Sequence, residues 1–176
     1  MYLYPVFLSS IALLVIIQDV RADDDNSDEY RVMIGDWIQE TMTCKKEMDD
    51  SGVEMKLMTC LAFYEGGKAI DPKLKEYDSC KALLACVMKK AGVMSSDGTS
   101  LIKDKMLEVS SIFDYKYKGI KDEFNNNIWP ACEKTTGKEG EMAYNFLECV
   151  FKKSAMAKKL KDKFFAFFHA QQDDKK

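Results

Sequence analysis

The segment CKALLACVMKKAGVMSSDG, residues 80–98, joins two cysteines to a helical pattern and two turn signals. Its apolar residues recur every three or four positions, which is typical of a helix with one buried face. Gly92 is expected to end this helix, because glycine readily adopts the left-handed conformation of a C-cap. Asp97 and Gly98 then predict a tight turn. The segment therefore predicts a helix over residues 73–91 that carries Cys80 and Cys86.

The same periodicity runs through most of the chain. The glycines after Tyr64 are expected to end one helix, Thr99 or Ser100 to cap another, and Pro130 to follow a third. No stretch alternates as a strand does. The pattern indicates an all-α fold of six or seven helices, over residues 28–49, 53–63, 73–91, about 101–113, 116–129, 141–153 and 155–169.

The first 22 residues have the character of a secretory signal. An apolar run of 11 residues, Phe7 to Ile17, precedes the small residues around Ala22 and an acidic stretch. A membrane anchor is the alternative, but a spanning helix needs roughly 20 apolar residues. We expect cleavage after Ala22 and one domain over residues 23–176.

The cysteine count indicates disulfides. A secreted chain with six cysteines is expected to pair them. A metal site is not expected, because no C-x2-C occurs and the sole histidine is His169. The net charge of -3 does not indicate the basic surface that nucleic-acid-binding proteins have.

Catalytic residues are not expected either. A serine or cysteine nucleophile needs a base within reach, and the one histidine lies in the polar tail. The chain has no G-x-S-x-G and no glycine-rich phosphate loop. We therefore expect neither an enzyme nor a cofactor.

Two segments carry a resemblance to a known family. The stretch from Cys80 to Gly98 and the stretch from Cys132 to Lys153, which contains EMAYNFLECVFKK, resemble the insect odorant-binding proteins. The resemblance extends over about Asp36 to Lys153. It implies a secreted, disulfide-linked bundle of helices around an apolar cavity.

The cysteine pattern departs from that family in a paired way. Cys86 and Cys149 match the third and sixth family cysteines. The second would fall at Ala82 and the fifth at Gly140, and these two bond each other in the family. Their joint absence is what a lost disulfide would leave.

The resemblance implies the pairs Cys44–Cys86 and Cys132–Cys149. Cys60 and Cys80 remain, and an antiparallel hairpin of the second and third helices would bring them together. Alternatively, Cys80 is a displaced second cysteine with another partner, since six cysteines allow 15 pairings.

The function implied by the resemblance is reversible carriage of a small hydrophobic molecule. Methionine suits surfaces that accept several apolar shapes, although any single one is ordinarily core. A membrane receptor and a homodimer are left open as further partners, and stable membrane insertion is not expected. The predicted ligand-binding residues are Met58, Leu84, Met88, Met106, Val109, Phe113, Ile120, Phe124, Trp129, Phe146 and Phe168.

The C-terminal segment KLKDKFFAFFHAQQ, residues 159–172, has an aromatic stripe opposite lysines. It is interpreted as a packed helix, a lid over the cavity, or a helix that touches membranes. Two other functions stay open. One is a secreted helical interaction protein, such as a salivary or venom effector, with a solid core. The other is a membrane-active carrier of the saposin kind, whose cysteine spacing differs.

Overall fold

The structure is a computed structural model that describes residues 27–53, 55–66, 71–114, 117–159, 161–162 and 165–166. Within those ranges the regular elements are helices, with one isolated bridge between Met94 and Leu101. The predicted all-α class is therefore confirmed. The α-helices with defined ends are α1 (Ser27–Asp50), α2 (Leu57–Glu65), α3 (Asp78–Lys90), α4 (Lys103–Asp114), α5 (Ile120–Glu123), α6 (Trp129–Cys132) and α7 (Glu139–Lys153), and residues 155–159 are helical as well.

Glycines end α2 and α3 as the sequence predicts. Gly66 has φ +73° and donates its N–H to the carbonyl of Ala62. Gly92 has φ +71°, which only glycine adopts without strain. The start of α2 is later than expected, at Leu57 rather than at residue 53.

The start of α4 corrects the prediction of a cap at Thr99 or Ser100. The chain from Ser95 to Ser100 closes a turn instead, and Ser95 donates its N–H to the Ser100 carbonyl at 2.9 Å. Asp97 organises this turn by accepting hydrogen bonds from the Ser95 hydroxyl at 2.6 Å and from the Thr99 hydroxyl at 2.8 Å. These polar groups are occupied within the turn, so the helix begins later, at Lys103.

The predicted helix over 116–129 is also corrected. Gly119, with φ +91°, precedes α5, and Asp114 accepts the Gly119 N–H at 2.8 Å. The helix then continues through Pro130 to Cys132 by way of a π-helical segment, Phe124–Ile128. Proline has no N–H to give to the carbonyl four residues earlier, and a π-turn shifts the bonding by one residue. The Trp129 N–H accordingly bonds the Phe124 carbonyl, five residues back.

Helix α3 is the centre of the bundle. It packs most extensively against α7 and next against α1. Two disulfides tie it to other helices, Cys60–Cys80 to α2 and Cys44–Cys86 to α1. The third disulfide, Cys132–Cys149, joins α6 to α7. These are the three pairs expected from the sequence.

The contact between α3 and α7 is close at the place where the family disulfide is missing. A Cβ added to Gly140 would lie 3.0 Å from the carbonyl carbon of Lys81 and 3.2 Å from the Ala82 nitrogen. The positions assigned to the absent cysteines are thus neighbours in space. A close contact between Gly140 and the backbone of α3 occupies the position of the disulfide that the family has.

One end of the bundle is tightly filled. Phe63, fully buried, stacks on Tyr77 at 4.7 Å and on Tyr144 at 4.5 Å between ring centroids. The Tyr64 hydroxyl donates to the Cys80 carbonyl, and burial raises the pKa of Tyr64. The aromatic rings and the two disulfides of α3 pack closely together at this end of the described structure. None of the helices in the described ranges combines the length and apolar character needed to cross a membrane.

We predict that Gly140→Ala destabilises the protein by about 1–2 kcal/mol, because the added methyl group overpacks the α3–α7 contact. Thermal unfolding followed by circular dichroism measures the change. Gly35→Ala is the matched control, because an added Cβ there meets no atom within 4 Å. This control should stabilise α1 by about 0.5–1 kcal/mol. Equal effects of the two substitutions would contradict the close contact.

We also predict that the turn at Asp97 weakens in acid. Hydrogen bonds from Ser95 and Thr99 lower the pKa of the Asp97 carboxyl to about 2. The ordinary pKa of an unfolded Asp is about 3.9, so the stabilisation is present above that pH and is lost as the pH falls towards 2. The melting-temperature difference between wild type and Asp97→Asn should shrink from pH 4 to pH 2. A constant difference over that range would refute this role of Asp97.

Candidate ligand-binding cavity

A cavity of about 260 Å³ lies between α3, α4, α7 and the π-helical segment. It lies at the end of the bundle that the Phe63 stack does not fill. Its walls are apolar residues at helical spacing, since each helix turns one stripe inward. The lining residues are Trp37, Leu84, Met88, Ala91, Val93, Met106, Val109, Ser110, Phe113, Ile120, Phe124, Ile128, Phe146, Leu147, Val150 and Ala157.

The π-helical segment shapes one wall of the cavity. Ile120, Phe124 and Ile128 follow one another at four-residue intervals, and all three are buried and line the cavity. Trp129 lies behind this wall, with its ring centroid 6.1 Å from that of Phe124 and 6.3 Å from that of Phe146. The indole therefore supports two lining phenylalanines from outside.

Polar chemistry is nearly absent from the cavity. Among the lining residues named above, none is charged, and only Ser110 and Trp37 carry a polar side-chain atom. The Ser110 hydroxyl donates its hydrogen to the Met106 carbonyl at 2.8 Å. Its oxygen is then left only as an acceptor. Such a cavity can bind an apolar molecule, and the lining side chains include no acid and no base.

The described residues bring three potential metal ligands together at one place, Cys44, Glu47 and Cys86. Both sulfurs belong to the same disulfide, so neither offers a thiolate. These three residues are therefore a disulfide with the carboxylate of Glu47 next to it.

Eight of the residues predicted to bind ligand line this cavity. They come from α3, α4, α5, the π-helical segment and α7, and their common property is an apolar side chain on the inner stripe. They are Leu84, Met88, Met106, Val109, Phe113, Ile120, Phe124 and Phe146.

The other three predicted residues do not line it in the described structure. Met58 was expected to face inward, and this is wrong, because its side chain is 44% exposed. Cys60 and Phe63, both fully buried, form the inner side of α2. Trp129 lies in the layer behind the wall. Phe168 lies outside the described residues.

Several lining residues were missed by the sequence reasoning. Ile128 and Ser110 continue the stripes of Phe124 and Met106 at a spacing of four, so periodicity could have found them. Ser110 was passed over because serine is not apolar. Ala157 gave no sequence signal, since its place depends on how the chain returns after α7.

The segment after α7 packs on the bundle beside the cavity. The Lys161 ammonium donates to the carbonyl of Glu65, the last residue of α2, at 3.0 Å. It also lies 5.0 Å from the centroid of the Phe151 ring. A cation at the C-terminal end of a helix is favourable because the last carbonyls lack partners. With Phe165 buried and Ala157 in the cavity wall, this segment is both packed and a part of the wall.

The helical bundle, its three disulfides and its apolar cavity define a disulfide-linked all-α fold, and comparison with known families agrees. A model of the PBP/GOBP family matches residues 42–153, more than half of the chain. The chain belongs to this family of insect odorant-binding proteins, whose members are binding proteins. Comparisons with curated proteins and with solved structures give no match.

We predict that Lys161→Ala loosens the segment after α7. The substitution removes the cation that holds Glu65 and Phe151, so amide hydrogen exchange at residues 155–159 should accelerate about three- to tenfold. Mass spectrometry of exchanged peptides measures this. Lys158→Ala is the control, because Lys158 is exposed on the same segment. Acceleration of equal size in both variants would show that Lys161 has no special role.

Proposed function

We propose that this protein is a secreted carrier that binds a small hydrophobic molecule, of the odorant or pheromone kind, reversibly in the 260 Å³ cavity. The observation that carries the proposal is a hollow with sixteen lining residues and no charged side chain among them. Membership in the PBP/GOBP family supports it.

The walls favour a compact, neutral ligand. Removing apolar surface from water contributes about 25 cal/mol per Å², whereas a carboxylate or ammonium inside would lose its hydration. No charged group of the lining would compensate that loss. The volume exceeds the roughly 150 Å³ of an apolar cavity that accepts benzene, so a ligand larger than one aromatic ring fits.

The contrast between the two ends of the bundle argues against an effector with a solid core. The Phe63 stack shows that this chain can fill its interior with aromatic rings where packing alone matters. At the other end, Phe124, Phe146 and Met106 are buried and yet border an open volume. A hollow costs stability, so its presence favours an occupant.

Export from the cell is part of the proposal. All six cysteines are disulfide-bonded, a state that persists in oxidising compartments. Residues 1–22, which would supply the signal, lie outside the described part of the chain. That the loaded carrier binds a membrane receptor or a second copy of the chain stays a prediction.

The test is equilibrium binding of the fluorescent apolar probe 1-aminoanthracene to the oxidised, delipidated chain from Asp23 onward. We expect saturable one-to-one binding with micromolar affinity, displaced by small apolar alcohols and hydrocarbons. Phe124→Leu should weaken binding about three- to tenfold, because it changes the shape of the cavity wall.

Phe63→Leu is the matched control for that substitution. Phe63 is as buried as Phe124 but belongs to the filled end, so its loss should lower stability by about 1–2 kcal/mol and leave probe affinity within about twofold. No saturable binding by the folded wild type would refute the carrier function. Equal loss of affinity in both variants would refute the assignment of the cavity.

A further inference from the structure

A second depression of about 870 Å³ lies next to the apolar cavity. This outer groove runs between the first half of α1, the end of α3 and the outer face of α4. Its lining includes five charged residues, whereas the lining of the apolar cavity has none. They are formed by Val32, Asp36, Trp37, Glu40, Lys90, Ala91, Lys105, Glu108, Val109, Ser111 and Ile112.

Three residues are walls of both spaces. Trp37, Ala91 and Val109 line the groove on one side and the apolar cavity on the other. Ala91 and Val109 are small, so the Trp37 indole is the largest side chain of this partition. Its ring is half-buried, and its centroid lies 6.4 Å from that of Phe113 at a tilted angle.

We propose that the ligand reaches the apolar cavity from the outer groove and that the Trp37 indole is the gate between them. This rests on the carrier function proposed above. In the structure the indole lies between the groove and the apolar walls of the cavity. Rotation of its side chain towards the groove leaves the two small residues, Ala91 and Val109, as the edges of an opening.

The groove has room for that rotation. Val32, five residues before Trp37 on α1, is 62% exposed, so no described element covers the groove on that side. The groove volume is more than three times that of the cavity it borders. The backbone at Trp37 is held, since the Thr41 hydroxyl donates to the Trp37 carbonyl at 2.8 Å. The indole can therefore move while the helix stays in place.

The charges of the groove do not oppose an apolar ligand that passes through it. Lys90 is paired with Glu47 at 2.9 Å, and Lys105 is paired with Glu108 at 2.7 Å. A neutral ligand breaks neither pair. An anionic ligand gains little from cations that are already paired, and a ligand of either charge meets no charged lining residue beyond the indole. The same partition that admits the ligand thus selects for neutrality.

Membership in the family does not by itself imply this gate. The matched region begins at residue 42, so Trp37 lies ahead of it on the part of α1 outside the match.

Stopped-flow kinetics with 1-aminoanthracene test the gate. In Trp37→Ala the partition is permanently reduced, so the association and dissociation rate constants should both rise at least about fivefold, while the dissociation constant changes less than about threefold. If Trp37 were only a wall, its truncation would raise the dissociation rate and leave association unchanged. That result would overturn the gate.

A second variant keeps the test decisive if Trp37→Ala does not fold. Ser111 lines the groove and not the cavity, so Ser111→Trp should obstruct the approach and slow association at least about threefold, with the cavity intact. Asn126→Trp is the control, because Asn126 is exposed on the π-helical segment and lines neither the groove nor the cavity, and the association rate of this variant should match the wild type.

The outcomes separate the two proposals. Absence of saturable binding to wild type refutes the carrier function and the gate with it. Saturable binding with an unchanged association rate in Ser111→Trp overturns the gate alone and leaves the carrier function standing.

Discussion

The fixed position of α3 is the constraint on which the rest of the structure depends. Cys80 near its start is bonded to α2, and Cys86, six residues later, is bonded to α1. Another face packs against α7, closely enough that a side chain at position 140 would overpack the contact. With three neighbours held around it, α3 presents Leu84 and Met88 to the space that α4 encloses. The cavity is therefore a consequence of where α3 is held.

The end of the bundle around Phe63 stabilises the fold, and the end around Phe124 forms the cavity. The end around Phe63 is filled by stacked rings and the sulfurs of two cross-links. The end around Phe124 keeps a hollow, whose walls lack contacts on one side and so stabilise the fold less. Each disulfide contributes about 2–4 kcal/mol to the free energy of unfolding. Cross-links can offset the hollow without occupying it, which fits a chain that is larger than the usual disulfide-dependent domain.

The helices and half of the cavity wall could be predicted because both follow from periodicity. Leu84 with Met88 and Phe124 with Ile128 each recur at a spacing of four. The prediction that Met58 faces inward was wrong because an apolar side chain at helical spacing does not reveal which face of its helix the neighbouring helix covers. The π-helical segment was not predicted because proline ordinarily ends a helix. Here the backbone hydrogen bonds shift by one residue, and the helix continues through Pro130. Trp37 and Ala157 required the tertiary arrangement, since each reaches the cavity from an element distant in the chain.

The disulfides also divide the covalent structure in two. Two of them close loops within residues 44–86, and the third closes a loop within residues 132–149. No bond joins the first region to the second, because the positions that would have linked them are Ala82 and Gly140. One peptide cleavage in the turn at residues 95–100 would therefore yield two separate polypeptides, held together by non-covalent contacts alone, chiefly those between α3 and α7. The cavity draws its walls from both, so its binding capacity would be regained only by complementation of the two fragments.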